Sequence, residues 1–223
     1  MSERNTIMYV GPSAHGLDLA SLTPPGIEIR PPVRRGDVDE LLESGVEPGL
    51  LFIVDGTFHS FPSVGHAEIR TAMDRGWTVW GLCSMGAIRG AEMRSLGMRG
   101  FGDVYEMYAA DPEFDDDEVA LLHSTEAPFQ AISEPMVHLR SFLAELLDRG
   151  VVTAEARDDA VGELKNRWYG ERTKDRLKWT LVKVCGLDAE SAATEVAGLH
   201  RHRLKTADLV RFLATRPWTD ERP

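Results

Sequence analysis

The chain is poor in cysteine, has no long apolar run and carries no excess of positive charge, and each shortage removes a class of protein. Its two cysteines, Cys83 and Cys185, lie far apart inside apolar stretches. That suits buried, reduced thiols and argues against a disulfide framework or a thiolate metal site. No His/Cys cluster has zinc spacing, so no metal ligand is expected. No window approaches the roughly 18 consecutive apolar residues that cross a bilayer, and Met1-Ser2-Glu3-Arg4-Asn5 leads into a short strand rather than a secretory segment. The expected setting is the cytoplasm, with no membrane partner. The net charge is −11, which argues against nucleic acid as a general partner. Neither G-x-G-x-x-G nor a Walker A lysine pattern occurs, so nucleotide binding would rest on Gly11-Pro12-Ser13 alone and no cofactor is expected. Internal repeats and low-complexity tracts are also missing.

What is present is a sizeable globular chain of 223 residues with 43% hydrophobic content, enough to bury a real core. Charge is unevenly spread. Residues 1–150 carry 11 Lys and Arg against 24 Asp and Glu, a balance of −13, whereas residues 151–223 carry 14 against 12, a balance of +2.

The first part alternates strands with helices. Thr6-Ile7-Met8-Tyr9-Val10 reads as a strand ending in Gly11-Pro12-Ser13, Ile27-Glu28-Ile29-Arg30 as a second, and Leu50-Leu51-Phe52-Ile53-Val54 as the most apolar one, stopping at Asp55-Gly56. Helices are expected from Gly36 to Ser44 and from Ser63 to Gly76. The run Thr78-Val79-Trp80-Gly81-Leu82-Cys83 reads as a buried parallel strand. Beyond Gly97 a long loop holds Asp115-Asp116-Asp117-Glu118, and Val119-Ala120-Leu121-Leu122-His123 reads as a final strand. The acidic run is solvated loop or a hard-cation site, without the EF-hand spacing. From Ser133 onward the chain reads as helical, with Thr153, Thr173 and Thr206 as helix caps. The expected architecture is α/β: an open, doubly wound, mainly parallel, Rossmann-like sheet over residues 1–132, then a helical C-terminal region over residues 133–223.

The most informative segment is Gly81-Leu82-Cys83-Ser84-Met85-Gly86-Ala87, where a buried strand stops and a helix begins at once. Ser84 on such a turn points out of the sheet, and the Met85 and Gly86 amides could hold a developing oxyanion. Ser84 is equally suited to be a helix N-cap. The full G-x-S-x-G elbow is absent around it, because Leu82 stands where the first glycine would be. Cys83 is an alternative nucleophile or a core thiol.

In an open parallel sheet the reactive crevice lies outside the carboxyl ends of the strands. That places Ser13, Asp55, Ser84 and His123 on one rim, the parts of a nucleophilic site in which imidazole takes the hydroxyl proton. His66 and Lys165 are rival bases. Ser13, Gly56, Arg89 and Glu92 join Met85 and Gly86 as candidate oxyanion or substrate-binding residues. Each also has an ordinary structural role as turn, cap or solvated side chain.

Several segments together resemble a TfuA-like protein: Val10-Gly11-Pro12-Ser13, Pro31-Pro32-Val33-Arg34-Arg35-Gly36-Asp37, Asp55-Gly56-Thr57-Phe58, Pro62-Ser63-Val64-Gly65-His66-Ala67-Glu68-Ile69 and Ser84-Met85-Gly86-Ala87-Ile88-Arg89-Gly90-Ala91-Glu92. The likeness continues through Gly97-Met98-Arg99-Gly100, Asp116 to Ala120 and Ser133 to Val137, roughly the first two thirds of the chain. It departs from the family pattern at Gly65, where Trp is usual, and at Gly90, where Ala is. The resemblance implies an accessory protein that works with a YcaO-type enzyme in replacing a peptide-backbone amide oxygen by sulfur. It also implies release of sulfide from a thiocarboxylated, ubiquitin-like sulfur carrier by hydrolysis. A non-catalytic protein that recruits or activates the YcaO-type enzyme is the alternative, and self-association is left open.

Overall fold

A computed structural model describes residues 4–57 and 61–219. Phe58, one of the residues that carry the likeness, lies outside the described residues, as do Met1 to Glu3. The chain forms two compact units: Met1–Phe114 with Ala127–Phe129 and Lys205–Pro223, and Asp115–Glu126 with Gln130–Leu204. No helix among the described residues is long and apolar enough to cross a membrane.

The first unit is built on five parallel strands, β1 (Thr6–Tyr9), β2 (Ile27–Arg30), β3 (Leu50–Ile53), β4 (Thr78–Leu82) and β5 (Arg99–Phe101), in the order β2-β1-β3-β4-β5. Its helices are α1 (Leu19–Leu22), α2 (Asp37–Glu43), α3 (His66–Asp74), α4 (Met85–Glu92) and α5 (Asp103–Ala110). The central strands are apolar throughout because both faces are covered. Ile7, Tyr9, Leu51, Ile53 and Val79 face a core shared with Val38, Leu41, Ile69 and Met85. The alternate residues Met8, Phe52, Trp80 and Leu82 face a second core with Leu209, Phe212 and Trp218. Phe52 packs edge-on against Phe212, ring centroids 5.0 Å apart.

The second core is completed by a helix from the far end of the chain. Helices α6 (Met136–Asp148), α7 (Ala154–Lys165), α8 (Lys174–Lys183) and α9 (Ala189–Ala197) belong to the second unit, but all of α10 (Leu204–Thr215) after its first residue belongs to the sheet unit. The helical region expected from residue 133 onward is therefore shared between two bodies. Thr153 and Thr173 do cap helices, accepting from the Ala156 and Arg176 amides at 3.2 Å. Thr206 does not, since α10 starts before it, and its hydroxyl donates to the Ser13 carbonyl at 2.9 Å.

The expected strand at 119–123 is not formed. Val119 and Ala120 are buried, and the bridge of His123 to Ala131 is isolated and antiparallel, outside the sheet. The fifth strand is Arg99–Phe101 instead, three residues with a central glycine and too little apolar pattern to be read as a strand. Gly100 is required there because a Cβ would stand 1.9 Å from the Tyr105 ring.

Candidate functional site

With the strand order 2-1-3-4-5, connections leave β1 and β3 in opposite directions, and the crevice between their carboxyl ends is where doubly wound proteins bind ligands. Here Asp55 fills it. Its carboxylate, 1% exposed, accepts from the Gly11 amide at 2.8 Å, the Ser13 amide at 3.0 Å and the Ser13 hydroxyl at 2.7 Å. The amides that would cradle a phosphate hold an internal carboxylate instead. The Lys205 ammonium, equally buried, lies 3.9 Å from the same Asp55. Lys205 was not among the residues read as a site, although a signal existed: Lys205, Asp208, Leu209 and Phe212 follow the spacing of one buried helix face.

The strand-to-helix turn lies one strand over. β4 ends at Leu82, Cys83 takes a left-handed φ of +65°, and the Ser84 amide donates back to the Leu82 carbonyl at 2.8 Å. A non-glycine residue in that region stores strain, and such residues gather at functional turns. The strained residue is thus Cys83, with Gly81 two positions before it. Burial pushes the Cys83 thiol well above its ordinary pKa, and the charges of Asp208 and Asp55 add to this. The sulfur is fully enclosed and stays protonated, as a core thiol does.

Ser84 itself is 4% exposed, and its hydroxyl neither caps α4 nor meets another partner among the described residues. Ser84 thus holds the N-cap position of α4, its carbonyl accepting from the Ala87 and Ile88 amides, without the side-chain bond that usually goes with it. The two amides behind it differ. Met85 N–H meets no acceptor among the described residues, whereas Gly86 N–H donates to the Val54 carbonyl at 3.3 Å. Gly86 also faces the sheet: a Cβ there would stand 1.7 Å from the Ile53 carbonyl oxygen. Its missing side chain serves contact between helix and strand rather than approach of a substrate. Gly86→Ala is expected to destabilise the protein by about 3 kcal/mol or more, since a backbone carbonyl cannot yield as a side chain can, and urea unfolding would measure it. Gly56 is constrained in the same way, with Met85 where its Cβ would be, at 2.7 Å.

Arg89, Glu92 and His66 form a brace at the other end of α4. Glu92 Oε2 accepts from Arg89 Nη1 at 2.6 Å and from His66 Nε2 at 2.9 Å. Arg89 also donates to the Val64 carbonyl at 3.0 Å and to the Ser63 hydroxyl at 3.2 Å. Glu92 is eight residues along from Ser84, about 12 Å of helix, so this arrangement ties α4 to the start of α3 and does not bring His66 to the hydroxyl. Glu68 completes the tie by accepting from the amides of Gly65, Gly36 and Val38 at 2.6, 3.0 and 3.3 Å.

Two further candidates lie in the second unit. His123 Nδ1 is 2.7 Å from the Ser124 carbonyl. Lys165 is 3.0 Å from both Asp115 and Glu118 and also contacts Asp117. Burial alone would lower the Lys165 pKa, but hydrogen bonds to those carboxylates outweigh it and raise it, so the ammonium stays protonated. Glu118 is gripped as well by Arg140 through two bonds of 2.8 Å. Among the described residues no group of three or more His, Cys, Asp or Glu could hold a metal ion.

The ties made by Glu68, Arg89 and Glu92 join segments that are distant in the sequence, and a comparison with protein families recognises most of them. Residues 55–173, more than half of the chain, match the family described as TfuA-like protein. The chain belongs to the TfuA-like family. The match takes in Asp55, the His66–Glu92 brace, the turn at Ser84 and the acidic run, and ends at Thr173, the cap of α8. Val10–Ser13 and Pro31–Asp37 lie before it. A search of curated proteins finds no match.

Proposed function

We propose that this TfuA-like protein is an accessory enzyme of peptide-backbone thioamide formation. It works with a YcaO-type enzyme and releases sulfide by hydrolysing a thiocarboxylated, ubiquitin-like sulfur carrier. The observation that carries this reading is the Ser84 hydroxyl. Among the described residues it has no hydrogen-bond partner, it follows a strained residue on a strand-to-helix turn, and the Met85 amide next to it likewise meets no acceptor among the described residues.

A thiocarboxylate is an acyl group with sulfur as its leaving atom. Attack by Ser84 Oγ on the carbonyl carbon forms a C–O bond, the Met85 N–H holds the developing oxyanion, and the C–S bond then breaks. The hydroxyl proton leaves with the sulfur, so that thiocarboxylate plus serine gives serine ester plus hydrosulfide, balanced in atoms and charge without a further base. Water then cleaves the ester, giving the carrier carboxylate, a proton and free Ser84. Asp55 contributes by fixing the loop after β1 beside the neighbouring strand. His66, His123 and Lys165 have no step to perform in this scheme.

Ser84→Ala is expected to lower sulfide release from a thiocarboxylated carrier by at least about 100-fold, the scale on which a nucleophile or oxyanion donor acts. Release at the wild-type rate by the folded variant overturns the reading. If thioamide formation with the YcaO-type enzyme also survives, recruitment of that enzyme is what the protein contributes.

A further inference from the structure

The turn before α4 holds more than the hydroxyl that the proposed chemistry uses. β4 ends at Leu82 and Ser84 is already the N-cap of α4, so a single residue, Cys83, carries the whole reversal from strand to helix. Its φ of +65° and the 2.8 Å bond from the Ser84 amide to the Leu82 carbonyl close a three-residue γ turn, of the rare form that strains any residue with a Cβ. The connection is short because α4 starts so close to the sheet. A Cβ on Gly81 would collide with the Gly86 carbonyl oxygen, and one on Gly86 with that of Ile53. The first turn of α4 thus lies directly against the backbone of β3 and β4.

Most positive φ angles among the described residues fall on glycine, as at Gly36 and Gly97, because glycine takes that conformation without strain. Position 83 keeps a side chain instead, and it is wholly buried in the core that α10 completes. A buried side chain fixes the direction of the bend, since turning the peptide would pull it out of close packing. The residue held by that bend is Ser84. Its amide is taken by Leu82, and its carbonyl accepts from Ala87 at 2.9 Å and from Ile88 at 3.3 Å. A serine at an N-cap ordinarily folds its hydroxyl back onto the second or third amide of the helix, and Ser84 does not.

We propose that Cys83 is a positioning residue: through its buried side chain it holds the γ turn closed and keeps the Ser84 hydroxyl clear of the capping bond that would otherwise consume it. This deepens the functional reading above and rests on it. Strain at Cys83 lowers stability in exchange for a hydroxyl that can attack. The thiol forms no bond to the substrate and loses no proton, so a side chain of the same shape serves equally.

The test compares Cys83→Gly, Cys83→Ser and Ser84→Ala in the full chain, by sulfide release from a thiocarboxylated carrier and by thermal melting. Cys83→Gly removes the strain and the anchor together. Its melting temperature is expected to stay within about 4 °C of wild type, since relief of the positive φ offsets the lost packing of one small side chain. Its kcat is expected to fall at least about 10-fold with KM within about threefold, the effect of a displaced reacting group rather than of weaker binding. A crystal structure of this variant should show the Ser84 hydroxyl bonded to the Gly86 or Ala87 amide. Cys83→Ser keeps the shape. A buried hydroxyl lowers its melting temperature, but the folded protein should keep kcat within about threefold of wild type. Activity and stability therefore move in opposite senses in the two variants, which a merely structural role would not produce. Wild-type kcat in Cys83→Gly overturns the inference, because the turn then needs no anchor. A Cys83→Gly chain that does not fold overturns it as well, because the side chain then serves the core alone. Loss of activity in Cys83→Ser as deep as in Ser84→Ala also overturns it, since the sulfur would then take part in the chemistry. Each of these outcomes leaves the functional reading standing as long as folded Ser84→Ala is inactive. Release at the wild-type rate by Ser84→Ala removes both.

Discussion

Asp55→Ala is expected to cost the sheet unit about 3–5 kcal/mol, because it removes one partner of a fully buried ion pair. The carboxylate satisfies the Gly11 amide, the Ser13 amide and the Ser13 hydroxyl, and it stands 3.9 Å from the Lys205 ammonium. Alanine leaves those donors in a site that is 1% exposed, where each unsatisfied group carries its own penalty. Asp55→Asn keeps one acceptor oxygen but not the charge, so it should fall between alanine and wild type. A double-mutant cycle separates the two contributions. Adding Lys205→Met to Asp55→Ala should destabilise by less than the sum of the single changes, since the attraction between the two charges is lost only once. Chemical unfolding of the four proteins measures this, and strict additivity would show that Lys205 draws its stability from other partners.

Arg172→Met is expected to unfold the helical unit at a comparable cost, about 3–5 kcal/mol. The guanidinium, with a wholly buried side chain, donates to the carbonyls of Leu164, Asp117, Lys165 and Arg167 at 3.1, 3.1, 3.2 and 3.1 Å and to the Asp117 carboxylate at 2.5 Å. One planar group thus closes the end of α7 onto the acidic run, and methionine can fill the space without replacing any of the five bonds. Hydrogen exchange should rise across α7 and α8 first. The pH dependence supplies a second readout. Burial alone would raise the Asp117 pKa, but hydrogen bonds from Lys165 and Arg172 outweigh it and hold it below the ordinary value of 3.8. A depressed carboxylate stabilises the fold above its unfolded pKa, and that stability is lost as pH falls through the folded value. In Arg172→Met this acid-induced loss should shrink, leaving the part that Lys165 maintains.

Strong local patterns could be read directly. Strands β1 to β4 and the caps at Thr153 and Thr173 follow from composition, periodicity and turn chemistry, and the structure has them. What could not be read depends on partners far away in the chain. Arg99-Gly100-Phe101 is a strand because β4 offers it a free edge and Tyr105 needs the space over Gly100, neither of which is visible locally. Val119 to His123 is apolar for the opposite reason: its first residues are buried without any ladder to join. At the turn, the sequence places Ser84 correctly between strand and helix. The left-handed residue is its neighbour, though, because the pattern of small residues does not say which one carries the bend. Asp55 is legible as a strand-end carboxylate, but its engagement with Gly11, Ser13 and Lys205 is a property of the assembled sheet.

The placement of α10 has a consequence for how the molecule comes into being. Ribosomes deliver chains from the N-terminus, so all five strands emerge while Phe212 and Trp218 are still unsynthesised, and Phe52 and Trp80 wait with one side bare. The order of translation and the order of burial run against each other. A nascent chain of this protein therefore carries an uncovered apolar sheet face until α10 and Trp218 have been made, the interval in which chaperones would be needed most.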